Sequence, residues 1–198
     1  MKYVGLTMRI EDLSKNDERR DCIDQRWYNF LDACNLRPIL IPNLEYFVSE
    51  KYLNKLSGII LTGGNSLSHL GGNAPEREVV EKKLIKYATG KKLPLMGVCR
   101  GMQVLQNYYE VPIKNIDGHV GTRHNLLFKN EQINVNSFHK YGTKGTTDCL
   151  EILANCSDGV VEAVQHKELP FIGIMWHPER EKLFSNFDIQ LIGEHFLS

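Results

Sequence analysis

Excess charge of either sign is missing from this chain: 24 Lys and Arg residues balance 24 Asp and Glu residues over 198 positions. No overall field draws it to nucleic acid or to an anionic membrane, so neither partner is expected. Long apolar runs are missing too; none approaches the roughly 20 residues that cross a bilayer. The opening Met1-Lys2-Tyr3-Val4 carries no secretion signal. Cysteine is sparse, odd in number and scattered, at Cys22, Cys34, Cys99, Cys149 and Cys156, with no C-x-x-C pair. That pattern fits free thiols in a reducing cytoplasm. Internal repeats and low-complexity linkers are absent, and no G-x-x-x-x-G-K-[ST] pattern accompanies Gly63-Gly64 to cradle a phosphate. With 42% hydrophobic residues, the chain is long enough for one substantial core and too short for two, so a single domain over 1–198 is expected.

Within that frame, the stretch 93–106, LPLMGVCRGMQVLQ, stands out. Pro94 blocks a helix running into it, Leu95 to Val98 read as a short apolar strand, and Met102, Val104 and Leu105 recur at helical spacing. Cys99 sits at the junction between Gly97 and Gly101. Small neighbours allow a sharp strand-to-helix turn that aims the central side chain outward from a sheet edge, as in a nucleophile elbow. A helix N-terminus there favours thiolate over thiol.

Along the chain, apolar strands are expected at 2–7, 37–42, 58–62 and 171–176, with helices at 22–33, 48–56, 76–89 and 186–197. The charged segment 10–20 reads as a surface loop, and its Arg9, Arg19 and Arg20 as a solvated face. In the helix 76–89, Val79, Val80, Leu84 and Tyr87 are expected inward, with Gly90 closing it. Strands alternating with helices predict a mainly parallel central sheet covered on both faces. Segments 125–128, 131–135 and 160–165, parted by Gly, Asn and Asp clusters, predict a small antiparallel extension.

A cysteine nucleophile needs a base and a group to orient that base. His177 and Glu179, at the end of the strand 171–176, supply both types, and in extended chain they would point the same way. Glycines at Thr62-Gly63-Gly64 let backbone donors approach a developing oxyanion, and the N–H of Arg100 is the natural second donor. His119 and His124 show no carboxylate or thiol partners at metal-site spacing, so they read as ordinary loop histidines.

The ordered set T-G-G, G-V-C-R-G-M-Q and W-H-P-E resembles the class I glutamine amidotransferase superfamily, and spans Thr62 to Glu179. Arg100 directly after the cysteine, V-N-S-F-H at Val135 to His139, and D-G-V-V-E-A at Asp158 to Ala163 are similar to its γ-glutamyl hydrolase branch. The resemblance implies a flavodoxin-like α/β fold and a catalytic triad of Cys99, His177 and Glu179. It also implies an oxyanion hole at Gly64 and Arg100, and glutamyl contacts at Gly63, Gln103, Asn136, Ser137 and His139. It implies no metal and no organic cofactor. The substrate class is a small γ-glutamyl conjugate hydrolysed through a glutamyl thioester; the alternative is a glutaminase subunit feeding ammonia to a separate synthase partner. The chain is shorter than most members of the hydrolase branch. Its compact form is similar to enzymes that release an amidate from a γ-glutamyl nucleotide conjugate in bacterial capsule synthesis.

Overall fold

Residues 2 to 197 are described by the structure, a computed structural model. The first strand, β1 (Lys2–Thr7), is followed by β2 (Arg9–Leu13), β3 (Glu18–Cys22), α1 (Arg26–Ala33) and β4 (Leu36–Ile41). Next come α2 (Glu50–Leu53), β5 (Gly58–Leu61), α3 (Pro75–Lys91), β6 (Leu95–Val98) and α4 (Arg100–Tyr108). The second half holds β7 (Lys114–Asn115), β8 (Val120–Phe128), β9 (Glu131–Phe138) and β10 (Tyr141–Gly142). It closes with β11 (Leu150–Asn155), β12 (Val161–His166), β13 (Phe171–Ile174) and α5 (Asn186–Leu197).

Seven strands form one sheet in the order β11-β12-β13-β6-β5-β1-β4. The run from β13 to β4 is parallel, and β12 and β11 are added antiparallel at one edge. Successive residues of a strand face opposite sides, and here they enter different cores. Ile60 and Met96 pack with Trp27, Phe30 and Leu31 of α1 and with Ile192 and Phe196 of α5. Ile59, Leu61 and Leu95 pack with Val80, Leu84, Ile85 and Ala88 of α3. Burial on both faces is why these strands read as unbroken apolar runs. The expected antiparallel extension divides in two: β12 joins the main sheet, whereas β8 and β9 make a separate hairpin. Among the described residues no helix is long and apolar enough to cross a membrane.

Several local expectations change. The segment 10–20 is not a loop; β2 and β3 pair antiparallel from Arg9–Cys22 to Leu13–Glu18. Charge hid the strand signal because both strands expose most of their side chains and bury only Ile10. The helix expected at 48–56 is a 3-10 turn, Glu45–Phe47, and the four-residue α2. In α3, Val79 faces outward at 41% exposure, while Arg77 and Glu81 are fully buried with Val80 and Leu84. Gly90 lies inside α3, and Lys92 in the left-handed region (φ 49°) ends it. Cys34 caps α1, and Asn35 just beyond it is left-handed at φ 58°. The closing helix α5 is anchored by Asp188, whose carboxylate accepts the Trp176 indole N–H at 2.9 Å; burial still pushes that carboxyl up to about 6.

Candidate active site

The parallel strands β5, β6 and β13 end side by side, and each delivers one part of the site. After β6, Cys99 adopts φ 53° and ψ −107°, a left-handed conformation that costs an L-residue about 1–3 kcal/mol. Its N–H donates to the Ile174 carbonyl at 2.8 Å, fixing the turn against β13. The two flanking glycines are required by contact. A β-carbon on Gly101 would lie 1.8 Å from the Leu61 carbonyl oxygen, and one on Gly97 would lie 2.5 Å from the Gly101 carbonyl oxygen. Helix α4 is thereby drawn onto the sheet with Cys99 at its N-terminus.

After β13, Pro178–Arg180 forms a 3-10 turn where sequence spacing predicts extended chain. Proline at the first position favours that turn, and the pairing survives: His177 Nδ1 lies 2.7 Å from Glu179 Oε1. Both side chains are buried, at 2% and 1% exposure, so the carboxylate fixes a proton on Nδ1 and leaves Nε2 for the thiol. Burial alone would push the Cys99 thiol up. The charge and hydrogen bond of His177 outweigh it, His139 and the Arg100 N–H add to them, and the thiol is held below its ordinary range. Burial likewise disfavours the His177 imidazolium, but Cys99 and Glu179 raise it well above the usual imidazole range. Both shifts favour the thiolate and imidazolium form of the pair.

After β5, the strap Thr62-Gly63-Gly64 passes beneath His177. A β-carbon on Gly63 would come within 2.6 Å of His177 Cε1, so any side chain there would displace the base. Gly64 is left-handed at φ 82°. The strap's carbonyls are all taken by Arg77 of α3, which donates to Thr62 O at 2.6 Å, Gly63 O at 3.1 Å and Gly64 O at 2.7 Å. Held this way, the peptide planes have their oxygens fixed on the guanidinium. Arg77 in turn donates to Glu81 at 2.9 Å, and Glu81 also binds Arg100 and the Thr7 hydroxyl. Arg100 is 1% exposed. Its side chain therefore belongs to the support beneath the strap, while its N–H faces Cys99.

Two lobes meet here and share Gly64, His177 and Arg180 in their walls. One, of about 240 Å³, is lined by Arg9, Glu11, Asp24 and Trp27. The other, of about 170 Å³, contains Cys99 and is lined by Gln103, Phe138, His139 and Tyr141. Gln103 donates to the Tyr141 carbonyl at 2.9 Å. Asn136 and Ser137 line neither lobe. Asn136 brackets the His177 backbone, accepting its N–H at 2.9 Å and donating to its carbonyl at 2.8 Å, and Ser137 donates to the His119 carbonyl at 2.7 Å. Of the three arginines read as a solvated face, Arg9 lines the first lobe. Arg19 is held by Asp12 and Glu76, and Arg20 by Glu18. The hairpin β2–β3 is tied to the strap by Asn65, whose side-chain amide exchanges two 2.9 Å hydrogen bonds with the Ile10 backbone.

Sequence reasoning missed Arg77, Glu81 and Arg180. The i,i+4 spacing of Arg77 and Glu81 was the available signal, but it is shared by every exposed helical ion pair. His119 and His124 also differ from expectation. The thiol and carboxylate absent from their own neighbourhood are supplied by Cys156 and Glu162, with donor atoms all within 4.8 Å of one another.

The glutamine amidotransferase class-I family model matches residues 21–189. The γ-glutamyl-CDP-amidate hydrolase of Campylobacter jejuni subsp. jejuni is 32% identical over 197 residues, covering 98% of this chain and 97% of that protein. A γ-glutamyl-γ-aminobutyrate hydrolase of Escherichia coli is 28% identical, with 79% and 78% covered. Among solved structures, a glutamine amidotransferase from Thermotoga maritima superposes with a TM-score of 0.68 at 15% identity, over 90% of this chain and 76% of that one; at that identity it speaks for the fold alone. Fold, family match and whole-chain relative agree, and the chain belongs to the class I glutamine amidotransferase family.

Proposed function

We propose that this protein hydrolyses the γ-glutamyl amide bond of a small conjugate with an anionic leaving group, working as an isolated chain in the cytoplasm. One observation carries the reading: the lobe that holds the Cys99 thiol shares Gly64, His177 and Arg180 with a second lobe of different chemistry, the former suited to an acyl group and the latter to what leaves it. In the proposed reaction, the Cys99 thiolate attacks the γ-carbonyl carbon, and its oxygen takes the electron pair against the N–H groups of Gly64 and Arg100. Collapse breaks the C–N bond, and the leaving nitrogen takes the proton from His177 Nε2. Water then gives a proton to His177 and its oxygen to the thioester carbon, releasing glutamate and the thiolate. Gln103 and His139, with the strap at Gly63, hold the glutamyl end. Asn136 acts by positioning His177, and Ser137 by holding the loop before β8. Five free thiols support the cytoplasmic assignment.

The first lobe favours a hydrolase over a glutaminase that serves a synthase. Ammonia needs no 240 Å³ lobe, whereas Arg9 and Arg180 suit a phosphate-bearing leaving group and Glu11 and Asp24 could accept from sugar hydroxyls. The whole-chain relative named for a γ-glutamyl-CDP-amidate supports a nucleotide amidate, and the compact form of the chain, by its family resemblance, supports a place in capsule synthesis. Incubating the purified chain with γ-glutamyl conjugates of amines, amino acids and nucleotide amidates, and with glutamine, tests this. The nucleotide amidate is expected to turn over fastest, and Arg9→Ala to raise its KM by up to about tenfold without altering that of a neutral conjugate. Glutamine turnover that appears only with an added synthase would overturn the proposal.

Glu179 raises His177, so its removal has a signed consequence. In Glu179→Gln the imidazolium loses its proton at lower pH, and the alkaline limb of kcat/KM is expected to move downward, narrowing the active window. A limb that stays in place would mean that Glu179 does not act on the base.

A further inference from the structure

A second cluster of chemistry lies behind the site. Glu162 of β12 is fully buried, and the groups within reach of its carboxylate are two histidines and a thiol. Its Oε1 lies 3.2 Å from His119 Nδ1, 3.3 Å from His139 Nε2 and 3.4 Å from Cys156 Sγ. The far nitrogens have acceptors of their own. His119 Nε2 faces the Asp158 carboxylate at 3.1 Å, and His139 Nδ1 faces the Tyr141 carbonyl at 3.2 Å. Both nitrogens of each ring thus face an acceptor oxygen. His119 Nδ1 and His139 Nε2, buried beside Glu162, meet its carboxylate outside hydrogen-bond geometry. His124 Nε2, in a ring 4.4 Å from that of His119, is likewise buried without a partner, as is Glu162 Oε2.

A buried carboxylate ringed by two imidazoles and a thiol calls for a cation, which an imidazolium or a metal ion supplies. An imidazole whose second N–H donates to a carboxylate, as that of His119 can to Asp158, is the usual outer arrangement of a metal-ligating histidine. We propose that His119, His124, Cys156 and Glu162 bind a divalent transition-metal ion of the zinc class. Two nitrogens, a sulfur and an oxygen make a four-coordinate set that Zn²⁺ accepts and that Mg²⁺ or Ca²⁺ does not. Bonds of about 2.0–2.3 Å would draw the donors from within 4.8 Å of one another to roughly 3.3–3.8 Å, a contraction of about 1 Å. Half-exposed His124 leaves a path of entry. The ligands come from the residue before β8, from β8, from the turn after β11 and from β12, so the ion pins the hairpin β8–β9 to the main sheet. That hairpin carries Asn136, which brackets the His177 backbone; the ion acts on the site by position and takes no part in bond breaking.

Cobalt titration of the chelator-treated full chain reads the site directly. The expected result is one equivalent of tetrahedral Co²⁺ with a thiolate-to-cobalt charge-transfer band. That band should persist in Cys99→Ala, be lost in Cys156→Ser, and Zn²⁺ should raise the melting temperature of the wild type. If Cys156→Ser does not fold by circular dichroism, His124→Ala is the second variant, expected to weaken Co²⁺ binding at least about tenfold. Failure of the wild type to bind Co²⁺, a band lost in Cys99→Ala, or affinity unchanged in His124→Ala would overturn the proposal.

Discussion

Cys99→Ala is expected to abolish glutamate release from γ-glutamyl conjugates, with a loss on the order of 10⁴-fold or more. The magnitude follows from the arrangement. In the proposed reaction only the thiolate supplies the attacking electron pair, and the proton transfers of His177 follow that attack, so removing sulfur makes the other members idle rather than leaving a partial catalyst. Folding should be little affected, because alanine is smaller than cysteine at a site with 7% exposure and meets the same positive φ. A coupled assay for glutamate checks the rate, and mass spectrometry of the wild type under brief incubation should find a glutamyl adduct on Cys99. Undiminished turnover by the alanine variant would end the proposed mechanism. Absence of the adduct with an active wild type would place the thioester in doubt while leaving the family assignment untouched.

The elbow is legible in the sequence because its residues lie together in the chain. Gly97 and Gly101 are separated from Cys99 by one residue each; the contact that forbids a β-carbon on Gly97 lies in the adjoining helix α4, whereas the one that forbids it on Gly101 comes from Leu61 of β5. The His177–Glu179 pair is legible for the same reason, although a 3-10 turn rather than extended chain brings the two together. What the sequence hides is made by distant partners. Cys156 and Glu162 lie more than thirty residues from His119 and His124, and only the approach of β8 to β11 and β12 unites them. The hairpin β2–β3 is hidden differently: Glu11, Arg19, Arg20 and Asp21 show the polarity of a loop because both its faces meet water. Arg100 changes meaning most. As a marker after the nucleophile it pointed to one branch of a family; in the fold its guanidinium is buried under the site and contributes charge balance, and only its backbone meets Cys99.

That buried network carries the second large expectation: Glu81→Leu should destabilise the protein by about 3–5 kcal/mol. Burial would raise the Glu81 carboxyl, but Arg100 and Arg77 outweigh it and hold it below the usual carboxylate range. It is therefore ionised at neutral pH. Its stabilising contribution is present above the unfolded value near 4.5 and is lost as pH falls through the lower folded value. Leucine fills the volume yet leaves two guanidiniums, at 0% and 1% exposure, without a buried carboxylate. At about 2–4 °C per kcal/mol for a chain of this size, the melting temperature should fall by roughly 10 °C. Glu78→Gln is the contrast. Glu78 lies 3.9 Å from Arg100 but its side chain is 26% exposed, and its loss should cost under about 1 kcal/mol. The network also reaches the strap, because Arg77, which donates to Glu81, also donates to the carbonyls of Thr62, Gly63 and Gly64. The folded fraction of Glu81→Leu is thus expected to lose kcat with KM little changed, since in the proposed mechanism the strap meets the oxyanion more than the ground-state carbonyl. Calorimetry and kinetics below the transition separate the two effects. Unchanged melting would deny the network its structural role, and full kcat in a destabilised variant would show that the strap holds its shape without Arg77 being held.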